Sequence, residues 1–166
     1  MVAGKNTYQV RPASVLDCPE ILSLDQVSNP HPWGEAMVLE ALSSRVNWLL
    51  QSVETKAICG WLSATTLLDE AELELVLVDS RLRRQGCARR LLLHWLNSMR
   101  SQGVGLFMLE VRQSNHAARA LYESLGFAVV GLRKQYYPCE TGREAALLMN
   151  LRVMNLPVIN INAAPE

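Results

Sequence analysis

No run of apolar residues in this 166-residue chain is long enough to span a bilayer. Its start, Met1-Val2-Ala3-Gly4-Lys5-Asn6, lacks the apolar core of a secretion signal, so a cytoplasmic protein is expected. An excess of one charge is missing too. The 16 basic and 16 acidic side chains cancel, which excludes a whole-surface polyanion binder, and neither nucleic-acid nor membrane contact is expected. Cys18, Cys59, Cys87 and Cys139 are scattered without a C-x-x-C, and His31, His94 and His116 lack ligand spacing. Neither a disulfide framework nor a metal centre is therefore indicated. Internal repeats and low-complexity stretches are absent as well.

What the chain does have is enough apolar residues, 49%, to bury one good core. A single domain over residues 1–153 with a tail over 154–166 is expected. The tail is apolar enough to pack, but Pro157 and Pro165 make it a poor strand. Thr7–Arg11 reads as a short strand closed by Pro12. Asp17-Cys18-Pro19-Glu20 reads as a capping box opening a helix that buries Ile21, Leu24 and Val27. Asn29-Pro30-His31-Pro32-Trp33 is a stiff loop, followed by a helix over 35–42. Strands over 47–53, 57–67 and 72–78, joined by short polar turns, imply an antiparallel meander. A long helix ends near Gly103, a strand follows over 106–111, and Ser114-Asn115 caps a helix stopped by Gly126. Strands over 127–135 and 145–153 complete a mixed α/β (α+β) order with a mostly antiparallel central sheet flanked by helices.

The most informative stretch is Arg83-Arg84-Gln85-Gly86-Cys87-Ala88. It joins the apolar strand Leu73–Val78 to an amphipathic helix carrying Leu91, Leu92, Trp95, Leu96 and Met99 at helical spacing. Glycine and alanine there permit close backbone approach, and the N–H groups of a helix's first turn suit an anion such as a pyrophosphate. It is not a P-loop, because no Gly-Lys-Ser/Thr follows, nor does it have the glycine spacing of the dinucleotide fingerprint. Taken alone, the same hexapeptide also reads as a solvated basic turn. Cys87 reads as a small hydrophobe, with no histidine placed to activate it.

Two further segments carry chemistry. In Leu109-Glu110-Val111, alternation turns Glu110 away from its apolar neighbours. A carboxylate there either faces solvent, pairs with Arg112 or with a neighbouring strand, or accepts a proton from an incoming amine. In Asn115-His116-Ala117-Ala118-Arg119-Ala120-Leu121-Tyr122-Glu123-Ser124-Leu125-Gly126-Phe127, helical spacing puts Leu121 and Leu125 on one side and Tyr122 elsewhere. Tyr122 is either a packing tyrosine or a phenol able to give up a proton. Asn115 is a good helix cap.

The turn Arg83–Ala88 together with Asn-x-x-Ala-x-x-Leu-Tyr-x-x-x-Gly-Phe at 115–127 resembles the GNAT acetyltransferases. Glu110–Asn115, Ala120–Phe127, Arg133-Lys-Gln-Tyr-Tyr-Pro138, Gly142-Arg-Glu-Ala145 and the early Asn29–Trp33 loop are similar to the RimI branch of that family. The resemblance implies the GNAT fold, acetyl-CoA as cosubstrate, no metal, and the N-terminal alanine of a small-subunit ribosomal protein as acceptor. It implies Glu110 as general base and Tyr122 as general acid. The backbone of Val76, Leu77 and Val78 would pair with pantetheine. Arg84, Gln85, Gly86, Cys87, Ala88 and Arg89 would cradle the pyrophosphate, with Asn115 a further coenzyme A contact. Tyr136 and Tyr137 would border the peptide groove, in a monomer or weak dimer. Ala88 and Leu77 depart from the glycine and the smaller residue usual at their positions.

Acceptor chemistry points the same way. A free α-amine titrates at roughly 7.7–8.0 and lysine at roughly 10.4, so one modest base suffices for the former. Acetylation of lysine, a small amine or a drug is the alternative, as is a non-catalytic coenzyme A-binding partner in a complex.

Overall fold

The computed structural model describes residues 7–153, so the tail lies outside the described residues. Seven strands and four helices follow in the order β1 (Tyr8–Pro12), α1 (Cys18–Ser28), α2 (Glu35–Ser44), β2 (Val46–Ser52), β3 (Ile58–Leu67), β4 (Glu70–Val78), α3 (Cys87–Ser101), β5 (Leu106–Arg112), α4 (His116–Ser124), β6 (Ala128–Cys139) and β7 (Gly142–Arg152). They form one mixed sheet, ordered β1-β2-β3-β4-β5-β7-β6. β4 and β5 run parallel, whereas β1 with β2, β2 with β3, β5 with β7 and β6 with β7 are antiparallel. The parallel pair follows from the connection through α3, since a tight turn cannot join parallel strands. The mixed, mostly antiparallel sheet expected from sequence is what the chain forms.

Contacts group the residues into two compact units, one running to Thr66 and including Glu74–Asn97, the other comprising Leu67–Leu73 and the chain from Ser98. In the first, Cys18, Ile21 and Leu24 of α1 and Val38 and Ala41 of α2 pack with Leu49, Ile58, Trp61 and Leu77 of the strands. α3 covers the opposite face. His94 meets Trp48 edge-on with ring centroids 4.3 Å apart. Gly60 admits the helix closely, since a Cβ there would stand 3.0 Å from Leu91 Cδ1 and 3.1 Å from the Leu77 carbonyl.

Two details of α1 differ from expectation. The capping box sits one turn earlier, where Ser14 and Asp17 reciprocally cap a 3-10 turn over Val15–Asp17. Asp17 makes no side-chain cap to α1, because Arg11 also holds its carboxylate at 2.7 Å. Val27 is exposed at 77%, while Asp25 and Ser28 are buried. The buried face runs through 18, 21, 24, 25 and 28, a helical stripe that leaves Val27 outside.

In the second unit, Phe107, Leu109 and Val111 of β5 are buried, as are Met149 and Leu151 of β7. The first residues of β4 pair with β5 from Glu70 with Leu106 to Leu73 with Leu109. Asn115 caps α4 by accepting from the Ala118 N–H at 3.1 Å, as its sequence position suggests. Tyr122, not Leu121, turns inward with Leu125, and its ring meets Phe127 at 6.0 Å. The helical face that packs is therefore rotated from the expected one. Among the described residues, no helix is long and apolar enough to cross a membrane, and no cluster of three potential metal ligands occurs.

Candidate active site

The strand-to-helix turn lies in the first unit. Asp79 continues β4 by donating its N–H to the Cys59 carbonyl at 2.8 Å. Its carboxylate then accepts from the Arg81 N–H at 2.9 Å and pairs with the Arg81 guanidinium at 2.7 Å. Those bonds hold the Asp79 carboxyl below its ordinary range. Arg83 turns toward α1 and donates to the Ser28 carbonyl at 2.8 Å. Its charge is thus committed to that helix end.

Arg84 and Gly86 both adopt positive φ, 60° and 78°, and Cys87 opens α3. The glycine suits that conformation; Arg84, carrying a Cβ, was not foreseen there. Nothing lies within 4 Å of the position a Gly86 Cβ would occupy. Helix geometry leaves the leading N–H groups, among them those of Cys87 and Ala88, without intrahelical partners. Open space beside a helix start is what an anion requires. Ala88 is not among the positive-φ residues, so it fits where glycine is usual. Leu77 sends its side chain into the α1–α2 core. Burial pushes the Cys87 thiol upward, which disfavours a thiolate nucleophile.

The second unit holds the proposed proton-transfer groups. β5 alternates between buried Leu109 and Val111 and half-buried Glu110, as the sequence requires. Glu110 pairs not with Arg112 but with Arg133 of β6, Nη1 to Oε1 at 3.2 Å. Arg112 instead binds Glu144 of β7 at 3.1 Å and donates to the Pro138 carbonyl at 2.8 Å. Its guanidinium also covers the Tyr137 ring at 4.5 Å.

Tyr136 and Tyr137 meet edge-on at 4.9 Å. Burial first, then the charge of Glu110, raises the Tyr137 phenol. Burial, seconded by Tyr137, raises Tyr122 well above the ordinary tyrosine value. Glu110 thus lies near enough to Tyr137, and Tyr137 to Tyr122, for a charge on one to raise the proton affinity of the next. At neutral pH, Tyr122 carries its proton. Arg133 lies within a sequence motif, but a partner two strands away leaves no local signal of its role.

Residues 18–127 match the acetyltransferase (GNAT) family. The chain belongs to that family. This GNAT chain is 37% identical over 138 residues to the [ribosomal protein bS18]-alanine N-acetyltransferase of Escherichia coli K12, covering 82% of this chain and 92% of the relative. The enzyme of the same description from Haemophilus ducreyi is 36% identical over 137 residues, 81% of this chain and 93% of the other. The crystal structure of the ribosomal-protein-S18-alanine N-acetyltransferase from Escherichia coli matches with a TM-score of 0.83 and 33% identity, covering 95% of this chain and 99% of that one. The GNAT fold and an acyltransferase activity follow.

Proposed function

We propose that this GNAT enzyme acetylates the α-amine of a protein N-terminus, an alanine above all, and that a small-subunit ribosomal protein is its natural acceptor. The similarity to bS18-alanine N-acetyltransferases over most of both chains supports the acceptor. Half-buried Glu110 and the buried, protonated phenol of Tyr122 carry the chemistry of the proposal. Residues 1–153 act as one catalytic domain in this reading, since the family match runs through both units. Cytoplasmic ribosomal proteins set the compartment.

Acetyl-CoA supplies the thioester. The N–H groups around Gln85–Ala88, with Arg84 and Arg89, hold its pyrophosphate. The backbone of Val76–Val78 aligns the pantetheine, with Asn115 a further contact. Glu110 takes the proton that the amine nitrogen sheds as its lone pair forms the new C–N bond. Tyr122 gives its phenolic proton to the sulfur as the C–S bond breaks, so the products are an acetylated N-terminus and a free thiol. Tyr136 and Tyr137 border the entering peptide.

A short-peptide panel tests the reading. Peptides starting with Ala or Ser should react clearly faster than those starting with Leu or Phe. Bulk would displace the nitrogen, and about 1 Å of misplacement costs on the order of 10²-fold. Blocking the α-amine should end the reaction even where lysines are present. Acetate on lysine, or equal rates for all four peptides, would replace this proposal with a broader amine specificity; binding of acetyl-CoA without transfer would favour a non-catalytic partner.

A further inference from the structure

We infer that Arg133 is a positioning residue for Glu110 and that its fixed charge lowers the proton affinity of the α-amine that arrives there. This rests on the reading of Glu110 as proton acceptor. Arg133 reaches Glu110 from the edge strand β6, with β7 lying between their strands in the sheet order. Two register shifts in β6, between Val129 and Gly131 and between Arg133 and Tyr137, flank it. Such bulges turn a strand locally and re-aim its side chains. Gly131 gives Leu148 of β7 its space, since a Cβ there would lie 3.0 Å from Leu148 Cδ1. The guanidinium is held over the Tyr136 ring at 5.3 Å while Nη1 stays 3.2 Å from Glu110 Oε1.

Arg112, on the same strand as Glu110, is committed to Glu144 of β7 and to the Pro138 carbonyl. Tyr137 of β6 and Tyr122 of α4 are both raised by burial and so are neutral at working pH. Tyr136 lies beneath Arg133 itself. An amine arriving at Glu110 as an ammonium therefore meets a cation already seated on the carboxylate. Like charges disfavour the protonated amine. A depression of about one unit would leave an α-amine about half neutral at pH 7, against on the order of a tenth without it. Arg133 thereby raises the reactive fraction of the arriving amine by its charge, besides holding Glu110 in place.

The test measures kcat from pH 6 to 9 with an alanine-initiated peptide at saturating acetyl-CoA, for the full-length wild-type, Arg133→Gln, Arg133→Lys and Glu110→Gln chains. In Arg133→Gln the bound amine regains proton affinity, so the acid limb of kcat moves to higher pH. Loss should be about tenfold at pH 6.5, one unit's worth, and within about threefold at pH 9. Arg133→Lys keeps the charge and should follow wild type. Arg133 is 53% exposed, and melting curves for each variant verify that the fold survives. An unmoved limb in Arg133→Gln, a uniform loss at every pH, or an equal displacement in Arg133→Lys overturns the inference. Glu110→Gln separates the two claims. Wild-type turnover in that variant would remove Glu110 as acceptor and the inference with it. A crippled Glu110→Gln beside an unmoved Arg133→Gln would remove the inference alone.

Discussion

Tyr122 is the side chain proposed to serve packing and chemistry together. Its ring is buried against Phe127, and burial raises its proton affinity. A raised folded-state value means that the stability Tyr122 contributes is complete below the free tyrosine value of about 10 and is lost as pH climbs above it. Tyr122→Phe removes that loss. Its melting temperature should therefore gain on wild type between about pH 10 and 11, and parallel curves would deny the buried phenol. The same variant should lose turnover by roughly 10²–10⁴-fold while keeping acetyl-CoA binding. A deficit under tenfold would reduce Tyr122 to packing. Both readings of this residue from sequence, packing tyrosine and proton donor, are compatible with its place in the fold.

At the scale of the element, the β4–α3 turn is held from both sides. Asp79 and Arg81 brace its entry, Arg83 ties it to the end of α1, and the Arg90 N–H closes the first helical turn on the Gly86 carbonyl at 3.0 Å. Gly86→Val meets no neighbouring atom but forces a β-branched residue to a φ of 78°. Left-handed backbone costs roughly 1–2 kcal/mol for such a residue, so a modest fall in melting temperature is expected. Its side chain would also fill the space proposed for the pyrophosphate. Added acetyl-CoA, which stabilises any folded state it binds, should no longer raise the melting temperature of this variant. A wild-type shift would remove the turn as the binding element.

For the whole molecule, acid is the revealing variable. Asp17 beside Arg11, Asp79 beside Arg81, and Glu144 beside Ser114 and Arg112 all hold their carboxyls below the ordinary range. Depressed folded values mean stability that is present above the free carboxyl range, about 3.9–4.3, and lost as pH falls below it. Thermal unfolding followed from pH 6 to 3 should show little change until about pH 4.5 and a steep fall below. Asp17→Asn, which gives up its ion pair, should flatten that fall; an unchanged profile would assign the acid sensitivity elsewhere.

Element types and most boundaries were legible in the sequence because they follow from local rules. Alternation placed Glu110 on the face opposite Leu109 and Val111, Asn115 announced the start of α4, and Gly86 marked the turn before α3. These signals need only the residue and its near neighbours. Tertiary structure alone decided the insertion of β7 between β5 and β6, the inward rotation of Tyr122, and the placing of Val27 in solvent. It also decided the partner of Glu110. The sequence offers Arg112, two residues away, or an unnamed group on a neighbouring strand; Glu144 engages that arginine, and a strand two places across the sheet delivers Arg133. Pairing of side chains on a sheet is set by strand order and register, and both emerge only when distant segments compete for the same neighbours.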